Sequence, residues 1–342
     1  MPQMNNGGGC TLDTCPLSMG IVHYDPSLFA NTFYLTYFGV ILIVQVLQTW
    51  RFRAWSFSIP VMSGLILEIV GYAGRIQMHY NPFDPNPFLI YLVCLTIGPV
   101  FFSAAIYLTL SRIIVHYGVR YTWFTPKRTS IIFMSCDFVA LVMQAAGGAI
   151  ADTADTKRAS NQGVHILVAG LAFQVLSLLF FVGVSLQYTM AVMRLRKGVD
   201  VAVQIPHRYL KTLNLGKRAT SQFNRFLIGL SLATIFILTR SIFRVAELWK
   251  GFDGKLANEE VPFVVFECTT MMLAVAMLTF FHPGSIFGNE WRDSGWGPTV
   301  AKEISNTSSE SYDMDGGRVG SFGVDREGKI RDAEMVDVEL GL

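Results

Sequence analysis

Apolar residues in this chain gather into seven runs of roughly twenty, separated by polar connections. The runs cover 28–49, 57–77, 87–110, 129–151, 164–192, 226–248 and 261–281. A run of that length crosses a hydrocarbon core of ~30 Å at ~1.5 Å per residue. In lipid, only a helix meets all its backbone hydrogen bonds within one segment. The pattern therefore predicts an all-α, polytopic membrane protein with seven transmembrane helices. The fifth run is long, which fits a tilted helix or one that begins outside the bilayer.

Polar positions inside the runs are few and spaced. Glu68 and Arg75 are seven apart, as are Asp137 and Gln144, and Arg240 and Glu247, with Arg244 between the last two. Seven residues is close to two helical turns, so each pair shares a face. Helices two, four and six each carry a polar stripe on an apolar body, and Gln174 and Glu267 add polar positions on helices five and seven. Each charge costs at least ~2.5 kcal/mol at a helix centre, so partners or a wet cavity are expected. Counting residues from the span ends puts Glu68 near mid-depth and Arg240 and Glu267 at similar depths, where they can pair. Arg75, Arg244 and Glu247 fall nearer the outer ends, within reach of headgroups by snorkelling. Asp137 falls in the inner half. The substrate-path candidates are thus Glu68, Arg75, Asp137, Gln144, Gln174, Arg240, Arg244, Glu247 and Glu267. The ionisable ones are read as one polar network among helices two, four, six and seven, open to the outside, with Asp137 as its inner member. A static set of interhelical bonds is the competing reading, and the two glutamines suit helix–helix contacts. Gly147 and Gly148 are candidates for close helix approach.

Composition agrees: 51% of residues are hydrophobic and only 15% charged, with mean hydropathy +0.41. The net charge of +2 matters less than its distribution. Connections one, three and five hold fourteen basic residues, whereas the N-terminal tail and the other connections hold Lys157, Arg158, Lys250 and Lys255. Short basic loops stay cytosolic. This predicts an N-terminus outside and a C-terminus in the cytosol. Trp50, Trp55, Trp123 and Trp249 at or beyond span ends fit interfacial anchoring. Residues 193–225 carry eight basic residues against Asp200. Topogenic charge explains that loop, and contact with anionic inner-leaflet lipid is a further reading.

The ends differ from the middle. Residues 1–27 form a Gly- and Asn-rich outer tail without Lys, Arg or an apolar run, so a cleavable signal peptide is not expected there. Residues 28–284 are the membrane domain, and 285–342 a cytosolic tail whose composition predicts disorder. Cys10 and Cys15 on the outer tail leave a disulfide between them open.

Several classes are excluded or disfavoured. No G-x-x-x-x-G-K-[ST] occurs, and no Lys lies inside helix seven for a retinal Schiff base. No His pair has metal-ligand spacing, and no serine nucleophile has an evident base. The expectation is a protein that is not an enzyme, with no metal or other cofactor and no nucleic-acid partner.

The segments EIVGYAGR (68–75), DFVALVMQAAGG (137–148), GLAFQ (170–174), RSIFRVAELWKG (240–251), the helix-seven acid Glu267 and HPG (282–284) resemble, in order, the fungal RTA-like or lipid-translocating exporter family. The resemblance spans about 28–284. It implies a seven-helix fungal membrane protein, in the plasma membrane or an endomembrane such as the endoplasmic reticulum. It also implies export or flipping of sphingoid long-chain bases or related amphiphiles, or resistance to toxic ones. The partners so implied are membrane lipids and an amphipathic small-molecule or lipid substrate. A seven-helix receptor or sensor and an indirect regulator of other flippases are the alternatives. The oligomeric state is open.

Overall fold

The computed structural model describes residues 26–117, 126–154, 156–196, 217–249, 254, 256 and 259–287. Residues 1–25, with Cys10 and Cys15, residues 288–342 and most of the basic loop in 193–225 lie outside the described residues.

Seven helices are long and apolar enough to cross a membrane. They are α1 (Leu28–Phe52), α2 (Trp55–Tyr80), α3 (Pro85–Tyr117), α4 (Pro126–Thr153), α5 (Lys157–Arg196), α6 (Lys217–Leu248) and α7 (260–280). A short α8 (Pro283–Phe287) follows. At 40 residues, α5 is about 60 Å long, well beyond a hydrocarbon core. Its apolar candidate span is Lys157–Gln187.

Local chemistry sets the reversals. Ser27 caps α1, its Oγ accepting from Ala30 N–H. Arg53 ends α1 at φ 53°, and its N–H returns to the Thr49 carbonyl. That left-handed residue turns the chain so sharply that α2 starts at Trp55. Between α2 and α3, Asp84 Oδ1 accepts from Asn86 N–H at 3.0 Å. Before α5, Thr156 Oγ1 accepts from Ala159 N–H.

The helices alternate in direction. One end of the bundle, the Ser27 end, gathers the starts of α1 and α7, because Ser27 N–H donates to Glu260 Oε1 at 2.7 Å. The other, the His282 end, joins the start of α2 to the end of α7 through Ser58 and His282. Each helix packs on the next, α7 returns to α1, and α3 also meets α6 across the ring. The core includes Phe38, Phe57, Leu65, Tyr72, Phe102, Tyr107, Ile237 and Met271. Large apolar side chains such as Ile43, Ile66, Phe138, Leu176, Phe180 and Phe280 point outward. An apolar outside around an interior that also holds charge is what lipid as solvent requires.

Candidate functional site

All nine polar candidates are buried within the bundle. They do not form one network. They divide into a charged cluster centred on α6 and α7 and an uncharged-partner seam between α4 and its neighbours.

The charged cluster begins with Arg240. Its Nη2 donates to Glu267 Oε1 at 2.8 Å, the pairing their depths predict. The same nitrogen also donates to the Leu95 carbonyl. That carbonyl is free for a structural reason. Pro99 sits four residues on in α3 and has no N–H to offer it. A proline therefore prepares a backbone acceptor for an arginine from another helix.

Arg244, one turn on, donates from Nη1 to Glu247 Oε2 at 2.7 Å, and its Nε lies 3.6 Å from Glu267 Oε2. Thr96 Oγ1 is 3.5 Å from its Nη2. Glu267 thus stands between two guanidinium groups. Its helix is locally wide at that point: Val264–Thr269 is a π-helical segment, and Thr269 Oγ1 reaches back to the Val264 carbonyl at 2.9 Å. Such a segment re-aims side chains and leaves carbonyls for new partners.

Glu68 faces this cluster from α2. Its charged neighbours are Arg240 and Glu267. Its Oε1 is fully buried and has no hydrogen-bond partner among the described residues. A methyl at Gly98 would stand 3.0 Å from that oxygen, so a glycine on α3 makes the room for the carboxyl. Tyr72 Oη, one turn from Glu68, is likewise without a partner.

Arg75 turns into the bundle rather than to headgroups. Its Nε donates to Asn31 Oδ1 at 3.0 Å, and its guanidinium carbon lies 4.0 Å from the Phe263 ring centroid and 5.1 Å from that of Tyr91. Asn31 donates in turn to the Ser27 carbonyl at 2.8 Å. A chain of polar contacts so links α2, α1 and α7 at the Ser27 end. Arg244 and Glu247 are also buried, at 2% and 6% exposure, and do not snorkel.

The expectation that α4 belongs to this network is corrected. In the ring, α4 lies between α3 and α5, so its polar stripe meets those helices. Tyr107 Oη donates to Asp137 Oδ2 at 2.9 Å, and Ser130 Oγ donates to the Tyr107 carbonyl at 2.8 Å. Gln144 Nε2 donates to Gln174 Oε1 at 2.9 Å. Among the described residues, no hydrogen bond or ion pair joins Asp137, Gln144 or Gln174 to the arginines. Ser177 on α5 is a side-chain neighbour of Asp137, and among the described residues neither Asp137 Oδ1 nor Ser177 Oγ makes a hydrogen bond.

The α4–α5 seam is close because it is lined with glycine. A methyl at Gly147 would stand 2.4 Å from Leu167 N and 2.7 Å from the Gly163 carbonyl. One at Gly163 would stand 2.4 Å from Ala151 N. Gly148 is different: its nearest contact would be Leu167 Cδ1 at 3.7 Å, an ordinary distance.

Sequence reasoning missed Asn31, Tyr107 and the Leu95 carbonyl. Pro99 was the available signal for the last, since a proline within a span leaves the carbonyl four residues back unbonded. Among the described residues, no group of three His, Cys, Asp or Glu side chains could hold a metal ion.

A family model described as "RTA1 like protein" matches residues 61–290. The chain is 32% identical over 286 residues to the sphingoid long-chain base transporter RSB1 of Saccharomyces cerevisiae, covering 77% of this chain and 73% of that one. It is 30% identical over 241 residues to Protein RTM1 of S. cerevisiae, with 69% of each chain covered. It is 29% identical over 232 residues to protoporphyrin uptake protein 1 of the same yeast, covering 68% of this chain and 69% of that one. No solved structure matches it.

Proposed function

The chain belongs to the RTA1-like family, and from that premise we propose that it moves amphipathic lipids, such as sphingoid long-chain bases, or toxic amphiphiles of similar shape across a membrane. The observation that carries the reading is the polar interior. Among the described residues, a bundle with an apolar outside buries seven Asp, Glu and Arg side chains, and two of the acids, Glu68 and Asp137, form no ion pair. A protein that only had to stand in lipid gains nothing from an unpaired buried acid, which costs about 2.5–3.5 kcal/mol at a helix centre. A positively charged headgroup or a proton offsets that cost. The relative named as a sphingoid base transporter supports the headgroup class, since such a base presents an ammonium on a long apolar chain.

In this reading the N-terminus is outside and the C-terminus cytosolic, as the basic connections argue. The plasma membrane is the site of action. The Arg240–Glu267–Arg244–Glu247 group holds α6 and α7 together, and Glu68 stands at its edge as a proton acceptor. The work is translocation, not catalysis.

Reconstitution tests this directly. Purified protein alone in proteoliposomes should accelerate transbilayer movement of a fluorescent sphingoid base, and Glu68→Gln should change its rate or its pH dependence. No movement from folded protein, with or without a proton gradient, would move the assignment to a sensor or to a regulator of other flippases.

A further inference from the structure

We propose that the ammonium of the amphiphile is bound at Asp137 and Ser177, in the seam between α4 and α5, and that its hydrocarbon chain stays in the surrounding lipid. This rests on the translocator reading above and specifies where that reading takes its headgroup.

Three acids compete for the role, and the geometry separates them. Glu267 stands between Arg240 and Arg244, so its charge is already met. Glu68 faces Arg240, which would repel an incoming cation. Asp137 is in no ion pair among the described residues. Its neighbours are neutral: Tyr107 from α3, Ser177 from α5 and, on its own helix, Phe133 one turn back. Asp137 is 2% exposed, one carboxylate oxygen takes the Tyr107 hydroxyl, and the other is unbonded. Ser177 Oγ beside it is unbonded too. A buried carboxylate oxygen and the buried hydroxyl of a neighbouring residue, neither hydrogen-bonded among the described residues, are what a primary ammonium with three donors can join.

The surroundings fit the same ligand. Tyr107, Phe133 and Phe181 pack on one another next to the carboxylate, with centroids 4.4 to 5.6 Å apart. Aromatic rings beside an acid favour an organic cation over a small hydrated one. The seam also meets lipid. Ser177 is only half-buried as a residue, and Phe180, 66% exposed, touches Phe133 at 5.9 Å. A headgroup has therefore only a short distance to travel from the acyl region to Asp137, without passing down the bundle axis. The glycine contacts around Gly147 and Gly163 hold the two helices close on the Ser27 side of this point.

The test uses full-length protein in lipid nanodiscs and two tagged probes: a fluorescent long-chain base with a free primary amine, and its N-acylated counterpart, which has no charge. Asp137→Asn keeps the shape and the bond to Tyr107. It should weaken binding of the amine by about tenfold or more, the worth of a lost charge-assisted contact, and leave the N-acylated probe unchanged. Glu267→Gln should not produce that selective loss. Equal amine affinity in wild type and Asp137→Asn would overturn the site, as would a wild type that binds no amine. A photoactivatable long-chain amine gives a second reading on wild-type protein alone. Crosslinks on α4 and α5 near Asp137 and Ser177 support the site, and crosslinks confined to α2, α6 and α7 overturn it. The two proposals fail separately. Amine bound at Asp137 without transbilayer movement would end the translocator reading and keep the site. Movement that is indifferent to Asp137 would do the reverse.

Discussion

The two sides of the bundle hold together by opposite means. Where α6 and α7 meet, the helices are joined by charge: Arg240, Arg244, Glu247 and Glu267 are linked by contacts of 2.7 to 3.6 Å. Where α4 and α5 meet, they are joined by backbone contact, with Gly147 and Gly163 leaving no room for a methyl. Hydrophobicity cannot hold helices together in lipid, since the tails are as apolar as the side chains. A membrane protein is left with polar bonds or close packing, and this one uses each on a different side. The charged side spends its acids on arginines. The glycine side needs no charge for cohesion, and its acid, Asp137, is in no ion pair among the described residues, which is the basis for the ligand site proposed above.

The largest effect should come from breaking the charged side. Glu267→Ala leaves Arg240 and Arg244 buried around an empty position. Removing one partner of a buried pair costs about 3–5 kcal/mol, so thermal or denaturant unfolding in detergent should show a loss of that size. The comparison is sharpened by the double variant Arg240→Met, Glu267→Met. Its loss should be well below the sum of the two singles, because no uncompensated charge remains. If the singles add, the pair is not a bonded unit, and the contrast between the two sides is wrong.

The glycine side should break by size, and selectively. At Gly147 even one methyl meets the backbone of α5 at 2.4 Å, so Gly147→Ala must push the helices apart. Overpacking of this kind costs about 1–3 kcal/mol. Gly148→Ala has 3.7 Å of clearance and should change stability by no more than about 0.5 kcal/mol. The same unfolding measurement reads both. Equal effects at the two glycines would mean that α4 and α5 are not packed through Gly147.

How much of this was legible beforehand follows from what each feature needs. The seven spans and the stripes on α2, α4 and α6 depend on composition and period, and both are local. The Arg240–Glu267 pairing was accessible because depth along two neighbouring helices can be counted. Which neighbour a stripe faces is another matter. Seven-residue spacing puts Asp137 and Gln144 on one face of α4 but says nothing of whether that face turns to α2 or to α5. Only the ring order fixes it. Arg75 was open between the buried network and the headgroups for a similar reason: its partner Asn31 lies 44 positions away in α1 and carries no mark of its role. The π-helical segment that seats Glu267 has no sequence signature, since Val264–Thr269 reads as an unbroken part of the seventh span. Gly163 and Gly170 were seven apart and could have been matched to Gly147 as one seam, had α4 and α5 been treated as a pair.

The smallest effect should be the most informative about that seam. The bond between Gln144 Nε2 and Gln174 Oε1, at 2.9 Å, is a side-chain bond between α4 and α5. Interhelical bonds of this kind average about 0.6 kcal/mol in lipid, because the separated helices also find partners. Gln144→Leu removes one partner and leaves Gln174 to find another. It should therefore cost roughly 0.6 kcal/mol, clearly less than Gly147→Ala a single turn along the same helix. That ordering is what a seam held by backbone proximity requires. Were the glutamine variant the more damaging of the two, cohesion would reside in the polar bond after all. Asp137 would then belong to a structural network running down α4, and the freedom that lets it serve a ligand would be gone.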